Sequence, residues 1–249
     1  MRLSDFSTLT FDCYGTLIDW ESGMYAALQP LWSRAAGTPS REEVLALHAR
    51  YESAQQLQTP AMRYSELLAI VYKRLAEALG VAANWSACAA YGHSVRDWPA
   101  FPDSAEALAY LKQHYKLVIL SNVDNESFSF SNARLGVRFD AVVTAEDAGS
   151  YKPSQRNFTY MLETLAGLGI EKDKILHTAE SLFHDHTPAN AIGLRTCWIH
   201  RRHEQGGFGA TRDPGGMPQI DFRFTSLGAM AAAHRAATGG ASRPTPSNG

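Results

Sequence analysis

The chain reads as an α/β protein: a doubly wound parallel sheet with a Rossmann-like core, interrupted once by an inserted helical cap. Three observations predict this. Short apolar, β-rich runs recur with helical segments between them, the alternation that builds a parallel sheet. The first two runs are separated by the whole of residues 13–115, and most of that gap carries apolar residues at three- and four-residue spacing. Polar residues capable of chemistry fall at or just after the C-terminal ends of the runs, where open α/β sheets gather their ligands.

In order, strands are expected over 8–12, 116–122, 141–144, 175–178, 196–199 and 222–224. Helices are expected in the gap over 24–35, 41–56, 64–79 and 85–96. Pro99 and Pro102 mark the return to the core, and Asp103-Ser104-Ala105-Glu106 has the form of a capping box opening a helix over 105–114. Residues 205–218 are rich in Gly and Pro and read as a long surface loop. The division that follows is a core of residues 1–16 and 98–236, a cap of 17–97, and a disordered tail over 237–249, where apolar content is low.

At 249 residues the chain buries a full core, and 45% hydrophobic with 19% charged residues is ordinary for a globular protein. A formal charge of −2 gives no support for a nucleic-acid or acidic-membrane partner. No apolar run approaches the roughly 18 residues that span a bilayer, and no signal-peptide pattern opens the chain. Cys13, Cys88 and Cys197 are widely spaced and odd in number, which predicts a reduced, cytoplasmic protein with structural cysteines. The nine histidines, among them His177, His184 and His186, read as scattered.

The most informative stretch is Leu9-Thr10-Phe11-Asp12-Cys13-Tyr14-Gly15-Thr16-Leu17, an apolar strand running into a turn with one carboxylate at its end. Gly15 permits the sharp turn and leaves backbone N–H groups free to face an anion. Ser121-Asn122 ends the second run, although both residues also favour simple turns. Lys152 follows the third, before a helix that Pro153 can start; a surface lysine preceding proline is the plainer reading. Glu180 and Asp185 follow the fourth, with Asp185 equally suited to capping a helix containing residues 188–192.

These four sites, in this order, resemble the motifs of the haloacid dehalogenase superfamily. Asp12-Cys13-Tyr14-Gly15-Thr16 looks like the nucleophile motif, Ser121-Asn122 the second, Lys152-Pro153 the third and the Glu180–Asp185 segment the acidic fourth. Tyr14, the Tyr151-Lys152-Pro153 context and Thr196-Cys197-Trp198-Ile199 are similar to the type II 2-haloacid dehalogenase branch. The resemblance implies hydrolysis of short 2-haloalkanoic acids to 2-hydroxy acids through an ester on Asp12, with no cofactor. The partner it implies is a small carboxylate, with a homodimer left open. In that scheme Lys152 pairs with Asp12, Thr16 and Ser121 hydrogen-bond Asp12 or the substrate, and Cys13 and Tyr14 offer backbone N–H groups. Asn122 lies near the departing halide, and Asp185 activates water.

Tyr14 carries much of the choice. Phosphatases of the superfamily place a second acid there to protonate an alkoxide, whereas a halide departs without a proton. An aromatic wedge between core and cap is the alternative use of Tyr14, just as Trp20, Tyr51, Tyr64 and Tyr91 serve either as walls of a dry pocket or as ordinary core. The pattern also departs from the branch. Glu180 and Leu182 stand where a Ser-x-Asn segment is expected, Phe158 replaces a tyrosine, and Arg50 is the nearest candidate for the halide-binding cap arginine. The acid spacing of Glu180 and Asp185 keeps alive a Mg²⁺-dependent phosphatase of a small phosphorylated metabolite, with Asp12 and Asp185 as ligands. Cleavage of another carbon–heteroatom bond in a small carboxylic acid, or a non-catalytic binding protein on the same fold, completes the alternatives.

Overall fold

A computed structural model describes residues 1–239. β1 (Thr8–Phe11) is followed by five helices before the chain returns to the sheet: α1 (Trp20–Ala27), α2 (Gln29–Trp32), α3 (Arg41–Gln58), α4 (Tyr64–Ala78) and α5 (Trp85–Gly92). Then come α6 (Ser104–Leu111), β2 (Lys116–Ser121), α7 (Asn125–Leu135), β3 (Ala141–Thr144), α8 (Ala145–Ala148) and α9 (Gln155–Gly167). β4 (Ile175–Ala179), α10 (Thr187–Ala191), β5 (Arg195–Ile199), β6 (Phe222–Phe224) and α11 (Leu227–Gly239) complete the order. The six strands form one sheet, β3-β2-β1-β4-β5-β6, with every neighbouring pair parallel.

Helices cover both faces, so all four residues of β1 and all five of β4 are buried, Thr10 and His177 among them. The chain winds outward from β1 in both directions, and the topological switch therefore falls between β1 and β4. Asp12 ends one of these strands and the acidic segment follows the other. Beyond β4 the chain makes a single π turn, Leu182–His186, of the kind that often marks functional sites, with Ser181 Oγ accepting from His184 N at 3.0 Å.

Several boundaries differ from those predicted, each for a local reason. The single helix expected over 24–35 is two, α1 and α2, because Pro30 has no N–H to carry the hydrogen-bond ladder past Leu28. The helix expected over 85–96 tightens after Gly92 into a 3₁₀ segment, His93–Asp97. Gly92 itself is required by packing, since a Cβ there would lie 2.2 Å from the Ser65 carbonyl oxygen of α4. The predicted capping box at Asp103 does not form. Asp103 instead accepts from Arg201 Nη1 at 2.7 Å and from Gly228 N at 2.8 Å, so it serves the start of α11, while Ser104 Oγ donates to Leu17 O. Pro153 does not open α9; Ser154 caps it. The predicted tail begins three residues too early, because α11 continues to Gly239; residues 240–249 lie outside the described residues. Among the described residues no helix is long and apolar enough to cross a membrane.

Candidate active site

The turn after β1 sets the geometry. Cys13 O accepts from Leu17 N and Ile18 N, and Gly15 takes φ 97° with Trp20 packed against it, so Asp12 and Thr16 face each other. Thr16 Oγ1 donates to Asp12 Oδ2 at 2.7 Å and accepts from Glu180 N at 2.9 Å, which fixes the direction of the hydroxyl. Lys152 Nζ donates to Asp12 Oδ1 at 2.9 Å, to Asp185 Oδ1 at 2.7 Å and to Leu120 O at 3.0 Å. All three ammonium protons are therefore committed, on a side chain that is 1% exposed.

Behind this line lies a second layer that sequence reasoning missed. Asp185 Oδ1 also accepts from His177 Nε2 at 3.0 Å, and His177 Nδ1 accepts from Thr10 Oγ1 at 2.8 Å. Thr10 and His177 are register partners on β1 and β4, so two adjacent strands hold the acid from below. A polar residue in the middle of a fully buried strand was the available signal, set aside when the histidines were read as scattered.

Two carboxylates share one ammonium, and they are not equivalent. Burial pushes Asp185 upward, but the Lys152 ammonium and the His177 hydrogen bond outweigh it and hold the carboxyl far below its usual range. For Asp12 burial outweighs Lys152, with Asp185's charge adding to it, and the carboxyl sits above its ordinary value. The nucleophile candidate is therefore the more basic of the pair. Lys152 is held above its own ordinary value because the two carboxylates overcome the desolvation that opposes its charge.

The other predicted residues have more varied fates. Asn122 does not present a free amide: its Oδ1 accepts from Lys152 N at 2.6 Å and its Nδ2 donates to Lys152 O at 3.0 Å. Ser121 Oγ is buried with no hydrogen-bond partner, and it does not bond Asp12. The Cys13 side chain is buried in the core, which leaves only its backbone for a ligand. Tyr14 lines the pocket with its ring, edge-on to Trp98, while its hydroxyl reaches Ser131 Oγ at 2.8 Å on α7. Burial drives that phenol well above its normal pKa, so it is a neutral group. Asp185 does not cap α10; its Oδ1 accepts from Lys152 and His177. Arg50 is not brought to the site; it is exposed on α3 and lies against Tyr51. A helix of this length turns Arg50 outward and the residues two and six places later inward.

Those inward residues form the other wall. A small cavity of about 50 Å³ is lined by Asp12, Lys152 and Asp185 from the strand ends and by Glu52, Gln56 and Tyr64 from α3 and α4. His184 also lines it and stays neutral, with burial holding its imidazole near pKa 4. A wider cavity of about 370 Å³ adjoins it through Gln56, Lys152 and His184, with Arg212 on its rim against Phe183.

These residues do not make a donor set for Mg²⁺. The ammonium of Lys152 already stands between Asp12 Oδ1 and Asp185 Oδ1, where a shared cation would sit. Glu180 turns toward a different cavity with Glu21 and Arg202, and among the described residues no three acidic, His or Cys side chains cluster for a metal.

Sheet order, inserted helices and the Asp–Lys–Asp line define an α/β protein with a Rossmann-like core and an acidic site at its strand ends. The model of the haloacid dehalogenase-like hydrolases matches residues 6–178, and the chain belongs to that family. It is 27% identical over 205 residues to (S)-2-haloacid dehalogenase H-109 of Pseudomonas putida, covering 78% of this chain and 85% of that one. It is 26% identical over 106 residues to the pyrimidine 5'-nucleotidase YjjG of Escherichia coli K12, covering 42% and 46%. In fold it is similar to the crystal structure of the L-2-haloacid dehalogenase PA0810, with a TM-score of 0.75 and 21% identity over 93% of this chain and 99% of that one.

Proposed function

We propose that the protein is a hydrolytic dehalogenase of short 2-haloalkanoic acids that works through an ester on Asp12 without a metal ion. The observation that carries this reading is the single ammonium of Lys152 bridging Asp12 and Asp185, beside a Tyr14 whose hydroxyl is engaged elsewhere. Such a site has a nucleophile and no neighbouring acid at Tyr14, which suits a leaving group that departs as an anion. The similarity to the Pseudomonas putida enzyme supports the same substrate class.

In this mechanism Asp12 attacks the α-carbon from the side opposite the halogen. An oxygen–carbon bond forms as the carbon–halogen pair leaves with the halide. Lys152 and Thr16 fix the two carboxylate oxygens before attack, which removes the orientational cost. Water then adds to the carboxyl carbon of Asp12, and the donor on the oxygen that did not attack stabilises the oxyanion that builds there. Asp185 Oδ2, buried and without a partner, accepts a hydrogen from that water and aims it. Collapse releases the 2-hydroxy acid and restores Asp12.

Residues 17–97 act as the cap over a core of 1–16 and 98–236, and closing off water favours attack on carbon. An anionic substrate arriving through the wider cavity meets the Arg212 guanidinium on its rim. The test is incubation with chloroacetate and with p-nitrophenyl phosphate, each with and without chelator. Halide release that survives chelation is the expected result; phosphate release that needs Mg²⁺ overturns the reading. A single turnover in ¹⁸O water is expected to label the Asp12 side chain.

A further inference from the structure

Glu52 is a buried acid that the mechanism above does not use, and it lines the same cavity as Asp12. A backside displacement sends the leaving group directly away from the attacking oxygen. Asp12, Asn122, Lys152 and Asp185 form the strand-end side of the cavity, so what departs from Asp12 travels toward the side formed by Glu52, Gln56 and Tyr64. No arginine lines the cavity, and its one lysine has no proton left to give a departing anion.

We propose that Glu52 is the leaving-group residue, its neutral carboxyl donating a hydrogen bond to the departing halide, fluoride above all because it is the strongest hydrogen-bond acceptor among the halides. This rests on the displacement reading given above. The hydrogen bonds around Glu52 assign the proton. Its Oε1 accepts from Tyr64 Oη at 2.8 Å and from Gln56 Nε2 at 3.4 Å, as a carbonyl-type oxygen does, which leaves Oε2 as the hydroxyl.

Nothing around Glu52 supplies a positive charge that would favour its ionised form. His48 Nδ1, on its own helix, lies 3.6 Å from Oε2, and burial keeps that imidazole neutral down to about pH 3. Tyr64 of α4, Tyr91 of α5 and Tyr151 ahead of α9 are phenols pushed up by burial, with Glu52's own charge a further cause. Across the cavity stand Asp12 and Asp185, with Lys152 shared between them. Desolvation accordingly raises Glu52 to about 7, so near neutrality much of the carboxyl keeps the proton that makes it a donor.

In the proposed step the carbon–fluorine pair leaves with fluoride as the Asp12 oxygen–carbon bond forms. Fluoride is a weaker base than the Glu52 carboxylate, so it departs as the anion, hydrogen-bonded to the Oε2 proton that stays on Glu52. The proton lost by the hydrolytic water is released with it, so the sum is R–F plus water giving R–OH, fluoride and a proton. Bromide and chloride accept hydrogen bonds less strongly and depend less on that donor.

The experiment compares fluoroacetate with bromoacetate in the wild type and in Glu52→Gln. The substituted amide keeps an acceptor for Tyr64 but offers only a weaker N–H donor. The expected result is a loss of about tenfold or more in kcat for fluoroacetate, with bromoacetate changed by less than about fivefold. Wild-type fluoroacetate turnover is also expected to fall above about pH 7, where Glu52 loses the donating proton, and bromoacetate turnover to fall less. Equal losses on both substrates, or fluoroacetate turnover untouched by the substitution, overturn the proposal while leaving the displacement reading intact. Wild-type bromide release without any fluoride release overturns it as well. No halide from either acid would remove the displacement reading itself and this inference with it.

Discussion

The side-chain amide of Asn122 grips the main chain of Lys152 at both ends, accepting from its N–H at 2.6 Å and donating to its carbonyl at 3.0 Å. The end of β2 thereby sets the position of a lysine thirty residues later in the chain, and through it the distance between ammonium and Asp12. Asn122→Ala removes both contacts and leaves buried backbone groups unpaired, at a cost of about 1–3 kcal/mol per unsatisfied group. A lowered Tm is expected, together with a kcat that falls more than KM rises, measured by thermal unfolding and steady-state kinetics.

Lys152→Met removes the only charge that balances Asp12 and Asp185. Breaking a buried ion pair from one side costs about 3–5 kcal/mol because the remaining charges stay uncompensated. The native state relieves this by taking up a proton on Asp12. The acid limb of any residual activity is expected to move to higher pH, which a pH–rate profile measures alongside the loss of stability.

Tyr14→Phe tests whether the phenol takes part in proton transfer. Its hydroxyl bonds Ser131 Oγ and faces away from the reacting carboxylate, so one hydrogen bond worth about 0.5–1.5 kcal/mol is lost. Turnover of chloroacetate is expected to stay within about fivefold of the wild type, a small effect beside the 10²-fold or more of a true acid or base. A larger fall places the tyrosine in the chemistry.

Arg50→Ala and Arg212→Ala are expected to behave differently. Arg50 is exposed and borders a groove away from Asp12, so its removal leaves kcat and KM for chloroacetate unchanged. Arg212 stands at the rim of the cavity that adjoins Asp12's own. Its loss raises KM for an anionic substrate, more strongly at low salt than at high, as screening predicts.

Glu180 is raised to about 8 by burial, with Glu21 and Asp12 adding to the effect, from an ordinary value of 4.5. Its native pKa lies above its unfolded one, so its share of stability is complete below about pH 4.5 and is lost as pH rises through about 8. Tm is therefore expected to decline across that interval, and Glu180→Gln to flatten the decline, as thermal melts over the range would reveal.

The sheet was legible because strands buried on both faces are rich in apolar and β-branched residues; all six predicted strands agree with the observed ones to within a residue at each end, and β3 and β6 agree at both. Asp12, Lys152 and Asp185 were legible because strand ends of a parallel sheet face one rim, whatever the intervening loops do. Asn122 and Asp103 were identified as residues but not in their contacts, since Lys152 and Arg201 lie 30 and 98 residues away and no local rule pairs them. Glu52 and His177 were missed for the same reason from opposite sides. One sits on an amphipathic helix and the other within an apolar strand, where a polar side chain gives no hint of what it will face. The order of elements and the identity of the strand-end carboxylates are thus properties of the chain itself, fixed by periodicity and by local backbone chemistry. Which acid shares the ammonium, which tyrosine is turned away and which glutamate is forced to keep its proton depend on distances across the fold. Only packing sets those distances, because desolvation and charge pairing act through space and not along the sequence.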